Sequence, residues 1–385
     1  MIVNVEFFDA VPIENVRTCL NYKVDKTIFF GQKEIMEKRK EITEQFLKTI
    51  CGVSEVEFCD VDSVDLALII DVISNKIEQE IAEGNQVFCD LTGGDSLPLV
   101  ALGIVGKELN ASMHMFDKST GELYGYSFGS APLSEVAEYR PISLNLDQYI
   151  YLYGGNINYR MQKGYKHSWG EEENRDIANL WTITRKYRHK WPYYCELMRK
   201  FEPDSGLSVE KESAAFVKEF QSKQSLGKIK SFKNFLDDCE AYGLLQSVSH
   251  ENGVFKYTYK NDMLKSCFGD VGSILELYVF LKESQEGEND DCRVGVHIDW
   301  DGEIHVNARE DVLNEIDILS IKNNVPTFIS CKIGNVDQMA LYELDTVASR
   351  FGGRYAKKVL AVAKEVMPTH LLRAKDMGIE IRKIK

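Results

Sequence analysis

Asn314-Glu315-Ile316-Asp317-Ile318-Leu319 and Thr327-Phe328-Ile329-Ser330-Cys331-Lys332-Ile333-Gly334 flank the turn-forming stretch Lys322-Asn323-Asn324-Val325-Pro326. The two apolar-rich runs read as strands and the stretch between them as the loop of a hairpin. Side chains alternate along a strand, so Glu315 and Asp317 share one face and Ile316 and Ile318 take the other. On the second strand Ser330 and Lys332 share a face, while Ile329, Cys331 and Ile333 point to the core. Two carboxylates then stand beside a lysine at the open end of the hairpin. Carboxylate oxygens can hold a hard divalent cation that activates water against a phosphodiester. A lysine beside them can steady developing negative charge. The same pattern also suits an ordinary amphipathic hairpin with a solvated charged face.

An Asp followed by a strand ending in Ser-Cys-Lys resembles the PD-(D/E)xK restriction-endonuclease-like superfamily. Within it the resemblance is to the nuclease domain of type III CRISPR ancillary nucleases activated by cyclic oligoadenylates. It implies Asp317 and Lys332 as catalytic residues, with Glu315 and Ser330 beside them, and Mn²⁺ or Mg²⁺ as cofactor. Ser330 departs from the pattern, because an Asp or Glu is expected two residues before the lysine. The missing carboxylate is expected from Glu276, then Glu315, then Glu343, and the backbone carbonyl of Cys331 completes the ligand set.

At 385 residues, with 44% hydrophobic content, the chain suits two or three folded domains. No apolar run approaches a membrane span, and Met1–Glu6 lacks the basic head and apolar run of a signal peptide. The nine cysteines form no CxxC pair, so neither a zinc site nor a disulfide framework is indicated. A cytoplasmic protein with reduced thiols is expected. The net charge of −14 opposes non-specific nucleic-acid binding by the whole molecule. From Lys332 to Lys385, however, 11 Lys and Arg face 6 Asp and Glu, a balance of +5. Arg350, Arg354 and Lys357 in that region are candidate nucleic-acid contacts. Arg185-Lys186-Tyr187-Arg188-His189-Lys190-Trp191 is a second basic cluster, mixed with aromatics.

Residues 1–150 alternate strand and helix, which predicts a parallel sheet covered on both faces, with ligands at the carboxyl ends of its strands. The expected order is a strand over 2–8, a helix over 13–21, a strand over 27–30 and a helix over 33–50. A strand over 54–59, a helix over 64–82 and the strand Gln86–Leu91 follow. Thr92-Gly93-Gly94-Asp95-Ser96 then leads into a helix. Two glycines permit a tight turn, and the helix N-terminus favours a phosphate, although a ligand-free turn has the same composition.

Asp90-Leu91-Thr92-Gly93-Gly94 resembles the loop of CARF domains, the Rossmann-like sensors of cyclic oligoadenylates. The resemblance implies a homodimer that cradles the ring phosphates, with cyclic tetra-adenylate as activator. Thr92, Gly93, Gly94, Asp95 and Ser96 would contact the ligand, with Gly31, Gln32 and Asp117 on the rim.

Residues 209–262 read as helix, helix and hairpin, a winged-helix-like pattern that serves either as a spacer or as a DNA-binding module. The chain is therefore expected to be α/β. A Rossmann-like CARF domain spans 1–150, a helical or winged-helix-like segment 151–265, and a PD-(D/E)xK restriction-endonuclease-like domain 266–385. The leading expectation is a cyclic-oligoadenylate-activated, metal-dependent endonuclease acting on DNA or single-stranded RNA. The alternative is a ligand-responsive DNA-binding regulator whose nuclease domain is silenced at Ser330.

Overall fold

Short β-branched and aromatic runs build the N-terminal sheet, and the amphipathic helices between them cover it. The computed structural model describes residues 1–61, 64–117, 122–160, 170–203, 205–213, 225–303, 305 and 312–385. Strands β1 (Ile2–Phe7), β2 (Lys26–Gly31), β3 (Glu55–Asp60), β4 (Gln86–Asp90) and β5 (Ser112–Phe116) run parallel in the order β3-β2-β1-β4-β5. An antiparallel β6 (Leu123–Tyr126) closes one edge. This is a doubly wound arrangement, and the strand order reverses between β1 and β4. The helix Leu66–Ala82 buries Ile69, Ile73 and Ile77, one residue per turn, and starts where Asp65 accepts the Ala67 N–H. The single helix expected over 33–50 is broken into Lys33–Met36, Lys40–Phe46 and a wider π turn over Leu47–Cys51, ended by Gly52 at φ +73°.

The middle of the chain carries the helices Glu171–Lys186, Trp191–Lys200 and Ser225–Ala241. After the two-residue β7 (Asn156–Ile157), strands β8 (Ser208–Glu212), β9 (Leu245–Glu251) and β10 (Val254–Tyr259) form an antiparallel sheet in the order β8-β10-β9. The start of the segment expected to be helical is thus a strand. Val209 points inward between exposed Ser208 and Glu210, the alternation of a charged edge strand. Residues 214–224, where that reading also places a helix, lie outside the described residues.

The C-terminal sheet contains β11 (Asp291–Asp299), β12 (Leu313–Lys322), β13 (Val325–Lys332), β14 (Lys357–Val362) and β15 (Ile379–Lys383). Its order is β15-β14-β13-β12-β11-β7, so a strand from residues 156–157 supplies one edge. The five-residue loop expected at 322–326 is a two-residue turn. Asn323 and Asn324 sit at φ +51° and +60°, and Lys322 pairs with Val325. Asparagine tolerates that left-handed backbone, which matches the twist of the flanking strands.

Both faces of this sheet are covered. Leu319, Phe328 and Leu360 pack against Leu344 and Phe351 of the helix Gln338–Phe351, in a core that continues through Tyr149 to Phe8 and Phe46 of the N-terminal unit. Ile318, Ile329 and Ala361 pack against the helix Ser273–Glu286, in a core that continues to Trp181 and Phe235 of the middle unit. Among the described residues no helix is long and apolar enough to cross a membrane.

Candidate active site

The printed ladder between β12 and β13 ends at Ile318↔Ile329, one residue short of Asp317 and Ser330. There the backbone pairing gives way to a side chain. The Asp317 Oδ2 accepts the Cys331 N–H at 2.6 Å and the Ser330 hydroxyl at 3.2 Å. Burial pushes the Asp317 carboxyl above its ordinary range. The Cys331 N–H and the Lys332 charge pull it back, Glu315 raises it, and the Ser330 hydroxyl lowers it again. A cavity of about 300 Å³ opens beside it, lined by Asn314, Glu315, Asp317, Ser330, Lys332 and Glu343.

Glu343 reaches this cavity from the helix Gln338–Phe351. Asp337 caps that helix by accepting the Ala340 N–H at 2.9 Å, and Leu341, Leu344 and Val347 bury its inner face. Glu343 itself is exposed. Glu276, ranked first from the sequence, occupies a different place. It is buried on the helix Ser273–Glu286 near Cys331 and Cys267, whose thiols its charge helps to push up after burial has done most of the work. It does not line the cavity. The helix Ser273–Glu286 covers the sheet face that carries Ile318 and Ile329, and the Cys331 side chain packs into that core. Position therefore favours Glu315 and Glu343 over Glu276 as partners of Asp317.

The donor chemistry suits a hard divalent cation, because the cavity offers carboxylate oxygens. Among the described residues, no three acidic, His or Cys side chains converge closely enough to hold one ion. That fits a cation bound through one or two carboxylates and otherwise by water, the usual magnesium arrangement.

The basic candidates separate. Arg350 donates to the backbone carbonyls of Tyr153 at 2.8 Å and Trp300 at 3.3 Å and lies against the Phe351 ring. It ties the C-terminal sheet to the segment after residue 150 and is occupied there, which corrects its expected role as a nucleic-acid contact. Arg354 and Lys357 are exposed, but Lys357 pairs with Thr327 while Lys332 pairs with Val362. Five residues of strand, roughly 16 Å, separate those two rungs. Lys364, exposed just beyond the carboxyl end of β14, lies on the Lys332 side and was not singled out from the sequence.

At the N-terminal sheet, Gly31, Thr92–Gly94 and Asp117 follow the carboxyl ends of β2, β4 and β5. Thr92 is buried, and its hydroxyl accepts the Phe116 N–H while its own N–H goes to Asp90. Gly94 has φ +106°, and a Cβ there would sit 2.6 Å from the Phe7 Cβ. A Cβ on Gly93 would meet the Asp9 Cβ at 3.1 Å, and one on Gly31 the Phe8 Cβ at 3.2 Å. These glycines answer to the chain's own packing. Asp95, Ser96 and Gln32 are exposed on the rim.

Asp9, missed in the sequence, fastens the loop. One carboxylate oxygen accepts the Gly94 N–H at 3.0 Å and the other the Val11 N–H at 2.7 Å. Val11 in turn borders Gly353, just after the helix that carries Glu343. A Cβ on Gly353 would lie 3.1 Å from the Val11 Cγ1.

A meander with an aspartate on its middle strand and a lysine ending the next, covered by helices and extended by parallel strands, defines a nuclease domain of the PD-(D/E)xK type. Residues 268–383 match the family model described as the Card1-like endonuclease domain, and this C-terminal unit belongs to that family. The chain is accordingly an endonuclease. Its fold is similar over nearly its whole length to protein VC1899 from Vibrio cholerae, with TM-score 0.71 and 17% identity, covering 99% of this chain and 93% of that one. It is likewise similar to Can2 from Sulfobacillus thermosulfidooxidans, solved in complex with cyclic tetra-adenylate, with TM-score 0.66 and 14% identity, covering 98% and 92%. No curated protein sequence matches the chain.

Proposed function

We propose that this endonuclease is metal-dependent, is switched on by a cyclic oligoadenylate, cyclic tetra-adenylate first among them, and serves type III CRISPR defence. The observation that carries the catalytic half is the single cavity shared by Asp317, Lys332, Glu315 and Glu343. Mn²⁺ or Mg²⁺, when bound, would supply a Lewis acid that polarises the phosphoryl group and favours ionised water. Asp317, fixed by the Cys331 N–H and Ser330, presents carboxylate oxygen to that cation, with Glu315 or Glu343 as the second donor. Lys332 neutralises charge as it builds on the phosphoryl oxygens. The substrate class is DNA or single-stranded RNA.

The sensing half is supported by the doubly wound sheet, the Gly-rich loop at its switch point and the ligand in the Can2 structure. A second copy of the chain is supported by exposed Leu68 and Val72 on one helix and Leu97 and Val100 on its packed neighbour. The competing reading, a regulator with a silent nuclease domain, rests on Ser330. Its hydroxyl bond to Asp317 instead favours a maintained site.

The test incubates purified protein with plasmid and single-stranded substrates, with and without Mn²⁺ and each cyclic oligoadenylate. Cleavage that needs both additions is expected, and it should vanish in Lys332→Ala. No cleavage under any pairing would overturn the reading.

A further inference from the structure

The basic cluster at 185–190 takes no part in either site. Arg185, Lys186, Arg188, His189 and Lys190 are all exposed at the end of the helix Glu171–Lys186 and in the turn that follows it. The turn lies along the helix Ser225–Ala241. The Lys190 Nζ donates to the Ser231 Oγ at 2.8 Å, the Tyr194 hydroxyl meets the same Ser231, and the Tyr187 hydroxyl donates to Asp238. That helix buries Phe232, Phe235, Leu236 and Cys239 and leaves Lys230 and Asn234, four residues apart, on its open face.

The acids nearby are already neutralised, Asp238 by Lys186 and Asp237 by Lys233. Arg185, Arg188 and Lys230 carry no ion pair among the described residues. On a chain of net charge −14, this is a local surplus of positive charge on one continuous surface.

The surrounding architecture gives that surplus a geometry. The helix Ser225–Ala241 runs directly into the β9–β10 hairpin, turned at Asn252–Gly253, and β8 pairs on the far side of β10. A helix followed by a two-stranded wing, with an earlier strand completing the sheet, is the frame in which helix-turn-helix relatives place one helix in the major groove.

We propose that this module is a second nucleic-acid site and holds duplex DNA, independently of the activator and of the catalytic cavity. Arg185, Arg188 and Lys190 lie against the phosphate backbone. Lys230 and Asn234 face the groove, where an ammonium and a carboxamide can reach base edges. The module thereby anchors duplex for the nuclease domain, with which it shares a core.

The test measures fluorescence anisotropy of a labelled 24-base-pair duplex with the full-length protein in EDTA, across a salt series. The wild type is compared with Arg185→Glu/Arg188→Glu/Lys230→Glu. The triple variant should bind at least about tenfold more weakly, with a salt dependence shallower by about 2.7, or 0.9 per lost phosphate contact. Its thermal midpoint and its metal-dependent hydrolysis of bis(p-nitrophenyl) phosphate should match the wild type, which keeps this test separate from the catalytic reading. Equal duplex binding by the two proteins would overturn the proposal. So would single-stranded RNA of the same sequence competing as well as duplex does.

Discussion

Ser330 donates its hydroxyl to the carboxylate that a metal-binding Asp or Glu at the same position would only repel. The residue that departs from the pattern thus orients Asp317, and the missing charge has to come from elsewhere in the cavity. Asp317→Ala should lower metal-dependent cleavage by about 100-fold or more. Ser330→Ala should cost about 10- to 100-fold, as loss of a residue orienting a metal ligand commonly does. Glu343→Gln should raise the Mn²⁺ concentration needed for half-maximal rate, whereas Glu276→Gln should leave it near wild type. Rate against metal concentration in these four variants checks the assignment, and a strong metal phenotype in Glu276→Gln would restore the order expected from sequence. Glu6 makes a different prediction. Burial, and then the charges of Asp90, Glu14 and Asp9, push its carboxyl well above the ordinary range. It stays protonated in the fold and ionises on unfolding, so its contribution is present at acid pH and is lost as pH rises through its folded value. Glu6→Gln should therefore match the wild type near pH 4 and exceed it in thermal midpoint at pH 7 to 8. A midpoint difference that does not grow with pH would refute this.

Elements repeat the lesson of the single residues, because local pattern specifies an element and not what covers it. The alternation of β12 and β13 placed Asp317, Ser330 and Lys332 correctly relative to one another, since a period of two leaves no freedom. The choice between Glu276 and Glu343 was not legible. Ser273–Glu286 and Gln338–Phe351 are both amphipathic, and only the chain path decides which sheet face each covers. The charged strand Ser208–Glu212 was hidden for a related reason, since its single inward valine carries little periodic signal. The Thr92–Gly94 loop was read for a ligand, yet its glycines are required by Phe7, Asp9 and the backbone itself. Gly94→Ala should accordingly lower stability by about 1–3 kcal/mol, from its left-handed φ and the contact with Phe7. Urea unfolding without any ligand measures this. An unchanged midpoint would mean that the glycine serves the ligand alone.

At the scale of the molecule, the catalytic sheet is sandwiched, sharing one core with the N-terminal unit and the other with the middle unit. A change in either neighbour therefore bears on the packing beneath the cavity. Asp9 sits where such a change would begin, with one oxygen on Gly94 and the other on Val11, beside Gly353. Its carboxylate occupies an N–H that a phosphate at the loop would claim, so the resting protein carries its own imitation of the messenger. Activator affinity is then a displacement constant, weakened by the cost of evicting an internal tenant. A charge-assisted hydrogen bond of about 1.5–3 kcal/mol corresponds to roughly 10- to 100-fold in that constant. Asp9→Asn should bind cyclic tetra-adenylate more tightly by calorimetry and show raised cleavage without it. Weaker binding with unchanged background cleavage would show instead that Asp9 builds the seat it fills. If the imitation holds, the silence of the uninfected cell is an occupied state, and the messenger's first act is competition.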